Sequence, residues 1–317
     1  MSLASLDKLL VIANPYAQSG AGEEAAREVE TRLAQVAQAE GLDPQEVFAV
    51  KRTECRGQAE QLARDAVAQG FQTVMALGGD GVIHEAVNGL MAVERELRPV
   101  FAIIPIGSGN DYARTRGIAR NKPLQALDQA LNGTVQTYDI GCVNGLYFNE
   151  TLSFGLDAAI ALNSMESRKK DKAHGTKLYA SNGIEVFTKQ RRTYAYTCDL
   201  ECPDGTHKTL EGEELIFAVQ VGPTYGGGFK ICPDASPQDG LLDICRTVKE
   251  PSLVYTLLVF FGARLGLHKN TGVVDFHKAK SLVIDFKDEP PCQTDGERLT
   301  GTHFEVSCVP QAVRIIG

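Results

Sequence analysis

The stretch Thr73-Val74-Met75-Ala76-Leu77-Gly78-Gly79-Asp80-Gly81-Val82-Ile83-His84-Glu85 decides how this chain is read. Residues 73–77 form a short apolar run of the kind that makes a buried strand. Glycines follow at once, and residues 82–91 then have helical character. A strand that passes through glycines into a helix can turn its backbone N–H groups toward a phosphate, and the helix adds the positive end of its dipole. Asp80 cannot attract a phosphate by charge, so its expected partner is a metal ion carried by the nucleotide, or a nearby hydroxyl. Alone, such a loop serves equally well as a tight strand-to-helix turn.

Outward from this stretch the same unit recurs. Leu9 to Ala13 is an apolar run closed by Asn14-Pro15, and residues 22–40 place Val29, Leu33 and Val36 at helical spacing. Residues 46–50 read as a strand and 58–68 as a helix. Residues 100–104 are a further strand, followed by Ile106-Gly107-Ser108-Gly109-Asn110-Asp111. Leu124, Leu127 and Leu131 line another helix, which Gly133 ends. This alternation predicts a doubly wound, mostly parallel sheet with helices on both faces. The loops at 14–20, 78–81 and 106–111 would then leave the carboxyl edge together, where open α/β sheets bind ligands. Three small-residue loops on one rim make a nucleotide crevice. The chain has no G-x-x-x-x-G-K-[ST], which removes a P-loop enzyme. No G-x-G-x-x-G opens the first helix, which disfavours ordinary dinucleotide binding.

After Tyr138 the pattern changes. Short β-rich runs at 146–154, 193–200, 215–221, 241–248 and 282–286 are separated by turns such as Pro203-Asp204-Gly205, predicting an antiparallel sandwich or barrel. Helical stretches interrupt it near 176–189 and 252–265. The expected division is an α/β nucleotide-binding domain at 1–136, joined by about 309–317, and a β-sandwich domain at 137–308. Residues 312–316 would form a strand returning to the first domain.

Composition narrows the function classes. At 317 residues with 43% hydrophobic and 23% charged side chains, the chain is an ordinary globular protein with room for two domains. A net charge of −8 argues against a general electrostatic grip on nucleic acid. The eight cysteines are scattered. Only Cys198 and Cys202 are close and no second pair completes a zinc pattern, so reduced, cytosolic thiols are expected. Residues 1–8 lack the features of a signal peptide. The longest apolar run, Leu253–Ala263, is far short of the roughly 20 residues a spanning helix needs. The protein is expected to be cytoplasmic, at most peripheral to a membrane, and the apolar helix around residues 253–267 reads as core. The basic cluster Arg168, Lys169, Lys170, Lys172, Lys177, Lys189, Arg191 and Arg192 stands out in an acidic chain and reads as an attraction for anionic lipid.

Together, the Asn14-Pro15 run through Gly20, Gly78-Gly79-Asp80-Gly81 and Gly107-Ser108-Gly109-Asn110-Asp111 resemble the diacylglycerol kinase catalytic-domain family, which includes bacterial lipid kinases. The resemblance continues through Phe148-Asn149-Glu150, Ser153-Phe154-Gly155-Leu156-Asp157-Ala158, Gly226-Gly227-Gly228, Cys232-Pro233-Asp234-Ala235, Asp239-Gly240-Leu241-Leu242-Asp243 and Asp295-Gly296-Glu297, over nearly the whole chain. It implies an active site in a cleft between the domains, with the γ-phosphoryl group of ATP passing to the hydroxyl of diacylglycerol or a similar lipid at a membrane surface. It implies ATP contacts at Asn14, Thr53, Gly78, Gly79, Asp80, Gly81, Val82, Ile83, His84, Glu85, Ser108 and Asn110. Asp80 would act in catalysis, and either Glu297 or Asp295 would be the base, although Asp-Gly also suits a solvated hairpin tip. A structural Mg²⁺ is implied at Ser236, Asp239 and Leu241. Sphingoid base, ceramide and phosphatidylglycerol stand as alternative acceptors, and a non-catalytic lipid- or nucleotide-binding relative as the alternative class. Homodimerisation is left open. The chain departs from the family at Val82 and His84, where Thr and Asn are usual, and its first loop lacks a Lys found in some members.

Overall fold

The structure, a computed structural model, describes residues 3–171, 191–249 and 251–317. The chain divides into two compact units, one running to Tyr138 and completed by Gln311–Gly317, the other Asp139–Pro310. The expected helix at 176–189 and the basic residues Lys172, Lys177 and Lys189 lie outside the described residues.

In the first unit, β1 (Leu9–Ala13), α1 (Ala21–Ala39), β2 (Phe48–Arg52), α2 (Gln58–Asp65), β3 (Thr73–Gly78), α3 (Asp80–Met91), β4 (Val100–Pro105), α4 (Asp111–Thr115) and α5 (Pro123–Asn132) follow one another. The strands pair in parallel in the order β2-β1-β3-β4. β1 and β3 are buried at every residue, as strands covered on both faces must be. α1 turns Ala25, Ala26, Val29, Leu33 and Ala37 inward, and α3 turns Ile83, Ala86, Val87 and Leu90 inward.

The second unit holds β5 (Val135–Val143, which starts in the first), β6 (Leu146–Phe148), β7 (Thr151–Gly155), α6 (Leu156–Asp171), β8 (Tyr194–Glu201), β9 (His207–Glu214), β10 (Ile216–Gln220), β11 (Leu242–Thr247), α7 (Leu253–Ala263), β12 (Val274–Ala279), β13 (Ser281–Phe286), β14 (Cys292–Thr294), β15 (Glu297–Leu299) and β16 (His303–Ile316). One sheet runs β12-β11-β10-β7-β14-β15, antiparallel throughout. The other contains β9, β8, β13 and the start of β16, whose residue Ile315 pairs in the first unit with Phe101. The two sheets face each other through aromatic rings. Phe154 lies 4.9 Å from Phe304 and 5.0 Å from Phe286, and Tyr196 lies 5.3 Å from Phe217, in tilted and edge contacts that favour ring quadrupoles. The solvent side of β13 shows the alternation of a half-buried strand: Leu282, Ile284 and Phe286 point in, and Val283 and Asp285 point out.

Two expectations are corrected. The single run at 146–154 is two strands, because Asn149 and Glu150 break from the ladder. α7 was read as core, but only one side of it is; Thr256 and Ala263 are buried while Val254, Leu258 and Phe261 are exposed. No described helix is long and apolar enough to cross a membrane.

Candidate active site

At the carboxyl edge of the first unit's sheet, β1 and β3 pass their last hydrogen bonds to residues just beyond the neighbouring strands. Asn14 N donates to Leu77 O at 2.8 Å, Thr53 N to Ala13 O at 2.8 Å and Ile106 N to Gly78 O at 2.7 Å. Asn14, Thr53, Gly78 and Ile106 are therefore set side by side by the parallel register alone. Asn14 Oδ1 accepts the N–H of Tyr16 at 3.0 Å, which turns the first loop back over the rim. Gln18 Nε2 donates to Gly107 O at 2.7 Å and to Asn121 Oδ1 at 2.9 Å, tying that loop to the one after β4.

The two glycine loops touch backbone to backbone. A Cβ on Gly107 would stand 2.7 Å from Gly79 Cα, so only glycine allows this approach. Gly78 has φ +156° and a Cβ there would meet the Val82 side chain at 2.5 Å. The unexpected Val82 thus packs against the first glycine of the loop. Asp80 opens α3, and its Oδ2 accepts the backbone N–H of Asn110 at 2.7 Å. Asn110 is held in the left-handed region at φ 53°, with Nδ2 donating to Gly107 O at 2.8 Å and to Asn121 Oδ1 at 3.1 Å. The N-cap of α3 is Gly79, with no side-chain cap hydrogen bond, and a helix N-terminus of this kind is suited to an anion. Ser108 is exposed beside them.

The rest of the 78–85 stretch faces elsewhere. Ile83 is fully buried and Val82 and His84 nearly so. Glu85 Oε2 accepts the N–H of Ala59 at 3.2 Å in the first turn of α2, where a carboxylate complements the helix dipole. His84 holds Asn88, whose Nδ2 donates to His84 O at 3.0 Å. These side chains build the platform under the rim.

In the second unit, Thr294-Asp295-Gly296-Glu297 is a two-residue hairpin loop with φ 46° at Asp295 and 93° at Gly296, the turn that Asp-Gly favours. It is no solvated tip. Asp295 Oδ2 accepts the N–H of Asn149 at 2.5 Å, and Oδ1 accepts those of Glu150 and Thr151 at 3.1 Å each. Gly296 N donates to Gln293 Oε1 at 2.7 Å, with Gln293 itself fully buried. The two candidate bases are thereby separated: Asp295 is a clamp on the segment 149–151, while Glu297 starts β15, half-buried. A cavity of about 390 Å³ opens alongside, lined in part by Ala159, Leu162, Pro291, Cys292, Arg298 and Leu299.

Sequence reasoning quoted Asp157 within its motif and assigned it no task. It sits in the first turn of α6, 4% exposed, and Tyr225 donates its hydroxyl to Oδ2. Burial lifts its carboxyl to a pKa of about 6, against hydrogen bonds from Tyr225, the Ala158 N–H and Ser153. The signal available was a carboxylate placed just after a glycine at a strand-to-helix junction.

The implied structural metal does not fit. Asp239 Oδ1 accepts the Leu241 N–H at 3.2 Å, and Oδ2 receives the Lys278 ammonium at 2.8 Å. The same ammonium lies 2.9 Å from Asp243 Oδ2. Burial works against the Lys278 charge, but the bonds to Asp239 and Asp243 outweigh it and raise its pKa. The loop is also fastened by Asp139 Oδ2 accepting the Gly240 N–H at 2.7 Å and Asp139 N donating to Pro237 O at 2.8 Å. Among the described residues no group of three or more His, Cys, Asp or Glu is placed to hold a metal.

The profile of the diacylglycerol kinase catalytic domain matches residues 8–143, and that of the YegS C-terminal NAD kinase beta sandwich-like domain matches residues 150–317. The chain is 33% identical over 245 residues to the diacylglycerol kinase of Bacillus subtilis, covering 77% of each chain. It is 31% identical over 311 residues to a Pseudomonas aeruginosa protein named probable lipid kinase YegS-like, covering 98% of this chain and 94% of the other. A solved structure of a diacylglycerol kinase from Bacillus anthracis superposes with a TM-score of 0.76 at 24% identity, covering 98% of this chain and 96% of that one, a likeness of fold. By sequence over almost its whole length, the chain belongs to the family of diacylglycerol kinase and YegS-like lipid kinases.

Proposed function

We propose that the protein transfers the γ-phosphoryl group of ATP to the hydroxyl of diacylglycerol or a closely similar lipid. The observation that carries this reading is the rim at Asn14, Thr53, Gly78–Asp80 and Gly107–Asn110, where glycine backbone comes together at a helix N-terminus without a side-chain cap, the arrangement that suits a phosphate. Backbone N–H groups of Gly79, Gly81 and Val82 would receive phosphate oxygens, and Ser108 would donate its hydroxyl. Asp80, held by Asn110, would position the nucleotide's own Mg²⁺, which neutralises charge on the β- and γ-phosphates.

Glu297 would take the proton of the lipid hydroxyl as its oxygen bonds to the γ-phosphorus, and the bond from that phosphorus to the β,γ-bridging oxygen breaks to release ADP. Asp295 is the weaker candidate, since its oxygens already accept three backbone N–H groups. Its role would be to hold the hairpin, and so Glu297, in place. The structural Mg²⁺ implied at Ser236, Asp239 and Leu241 takes no part.

The test is incubation with γ-labelled ATP, Mg²⁺ and a panel of diacylglycerol, phosphatidylglycerol, ceramide and sphingosine in mixed micelles. Labelled phosphatidic acid is the expected product. Label in ceramide or sphingosine alone would move the assignment to that acceptor, and no label in any lipid would favour a non-catalytic relative.

A further inference from the structure

We infer that the outer face of α7 is the surface by which this protein seats itself on an anionic lipid bilayer, an inference that rests on the lipid kinase reading for its choice of occupant. The helix is divided lengthwise. Thr256 and Ala263 are 5% and 4% exposed, and Leu257 and Phe260 pack against Leu156, Ala159, Ile160 and Leu215. Phe260 also rests on the Phe229 ring at 4.7 Å. On the other side, Val254 is 68% exposed, Leu258 63%, Phe261 53% and Leu265, just beyond the helix end, 70%. Those positions advance by four, three and four residues, so they form one line along the helix, roughly 16 Å long. An aligned row of large apolar side chains is an interaction surface rather than ordinary scattered exposure.

Charge favours a lipid leaflet. From Pro251 to Val274 the sequence contains no Asp or Glu, in a chain whose net charge is −8, and it carries the exposed Arg264 and Lys269. Among the described residues, Lys269 is paired with the exposed Asp234 at 3.0 Å. Arg264 lies over the Phe229 ring, 5.8 Å from its centroid, at the end of the apolar row. An apolar stripe with the Arg264 guanidinium at its end and no acid within it matches an interfacial helix lying in the headgroup layer of an anionic membrane. The helix is too short to cross, so it lies along the surface.

The experiment is co-sedimentation of the protein with phosphatidylcholine vesicles containing about one-fifth phosphatidylglycerol, without ATP. The wild type should bind, and the double variant Leu258→Gln/Leu265→Gln should bind roughly tenfold more weakly or worse. Circular dichroism should be unchanged, since both side chains are mostly exposed. An environment-sensitive dye on Val254→Cys gives a second measurement and should shift to the blue on vesicle addition. On water-soluble dioctanoylglycerol the double variant should match the wild type, while its rate on long-chain diacylglycerol in vesicles should drop. Wild-type protein that ignores vesicles, a double variant that binds them normally, or a dye that does not respond overturns the inference. So does a concentration-dependent dimer abolished by the double variant, which would make a second copy the occupant. Vesicle binding that depends on α7 with no phosphorylation of any diacylglycerol would leave this surface standing and overturn the proposed activity instead.

Discussion

Asp295 and Thr151, 144 residues apart in sequence, bond to each other in both directions: the Asp295 N–H donates to Thr151 O at 3.0 Å, and Thr151 N–H donates to Asp295 Oδ1 at 3.1 Å. With the N–H groups of Asn149 and Glu150 added, the carboxylate satisfies a whole irregular segment. Asn at 295 offers one acceptor oxygen and turns an NH₂ toward those donors. Asp295→Asn should lower stability by about 2–3 kcal/mol, the cost of leaving part-buried amides unpaired. Glu297→Gln should leave the melting temperature and nucleotide affinity unchanged and reduce turnover by about 10²–10⁴. Calorimetry with steady-state kinetics on both variants checks this. A stable, inactive Asp295 variant beside an active Glu297 variant would reverse the roles.

Asp80→Asn should keep the fold, because the amide oxygen can still accept from Asn110 N–H. Activity should fall by about 10² or more, as removal of a charge-handling group does. Turnover near wild type with a normal dependence on Mg²⁺ would remove Asp80 from the mechanism.

Lys278 supplies the positive charge that Asp239 and Asp243 need. Thermal stability of the wild type should therefore be indifferent to EDTA or added Mg²⁺. Lys278→Met should cost about 1–2 kcal/mol, less than a fully buried pair because the ammonium is 35% exposed. Added Mg²⁺ should restore part of that loss in the variant alone. A wild-type melting temperature that falls with EDTA would mean a cation binds there despite Lys278.

Asp157 gives a pH signature. Its folded pKa, about 6, is above the ordinary carboxylate value because burial disfavours the charge. The folded state therefore holds the proton more tightly than the unfolded state. That favourable contribution is complete below about pH 4 and is lost as pH rises through about 6. Asp157→Asn keeps an acceptor for Tyr225 and cannot ionise, so its stability relative to wild type should increase between pH 4 and pH 8, by up to about 2 kcal/mol. A difference that does not change with pH would show that Asp157 is not buried in its charged form.

Much of the first unit was legible because parallel strands covered on both faces are continuous apolar runs, as at Leu9–Ala13 and Thr73–Gly78. Glycine loops then mark the strand ends that gather at the rim. Less could be read of the second unit. His207–Glu214 carries Lys208, Glu211, Glu213 and Glu214, and nothing in so polar a run announces a strand; the ladder to β8 makes it one. Of the three leucines at helical spacing in α5, Leu127 and Leu131 are buried and Leu124 is exposed, since Ala126 and Ala130 complete the buried face. The Lys278 ammonium at Asp239 was invisible because 39 residues separate them and only the pairing of β11 with β12 brings them together. The outward side of α7 was hidden for a different reason: hydropathy reports that a side chain avoids water, and not what covers it.

The return of Gln311–Gly317 to the first unit sets an order of events during synthesis. The buried Arg98 donates to Leu90 O, Val93 O and Ala312 O, and Arg314 in turn donates to Arg98 O. The ribosome delivers residues 311–317 only after all of the second unit, so the first unit must wait with its sheet edge beside β4 unpaired and Arg98 without the Ala312 carbonyl. The second unit, contiguous from Asp139 to Pro310, has every strand partner it needs by then. Nascent chains released at residue 310 should therefore yield a protease-resistant second unit attached to a protease-sensitive first unit, so the first unit closes only once residues 311–317 have been delivered.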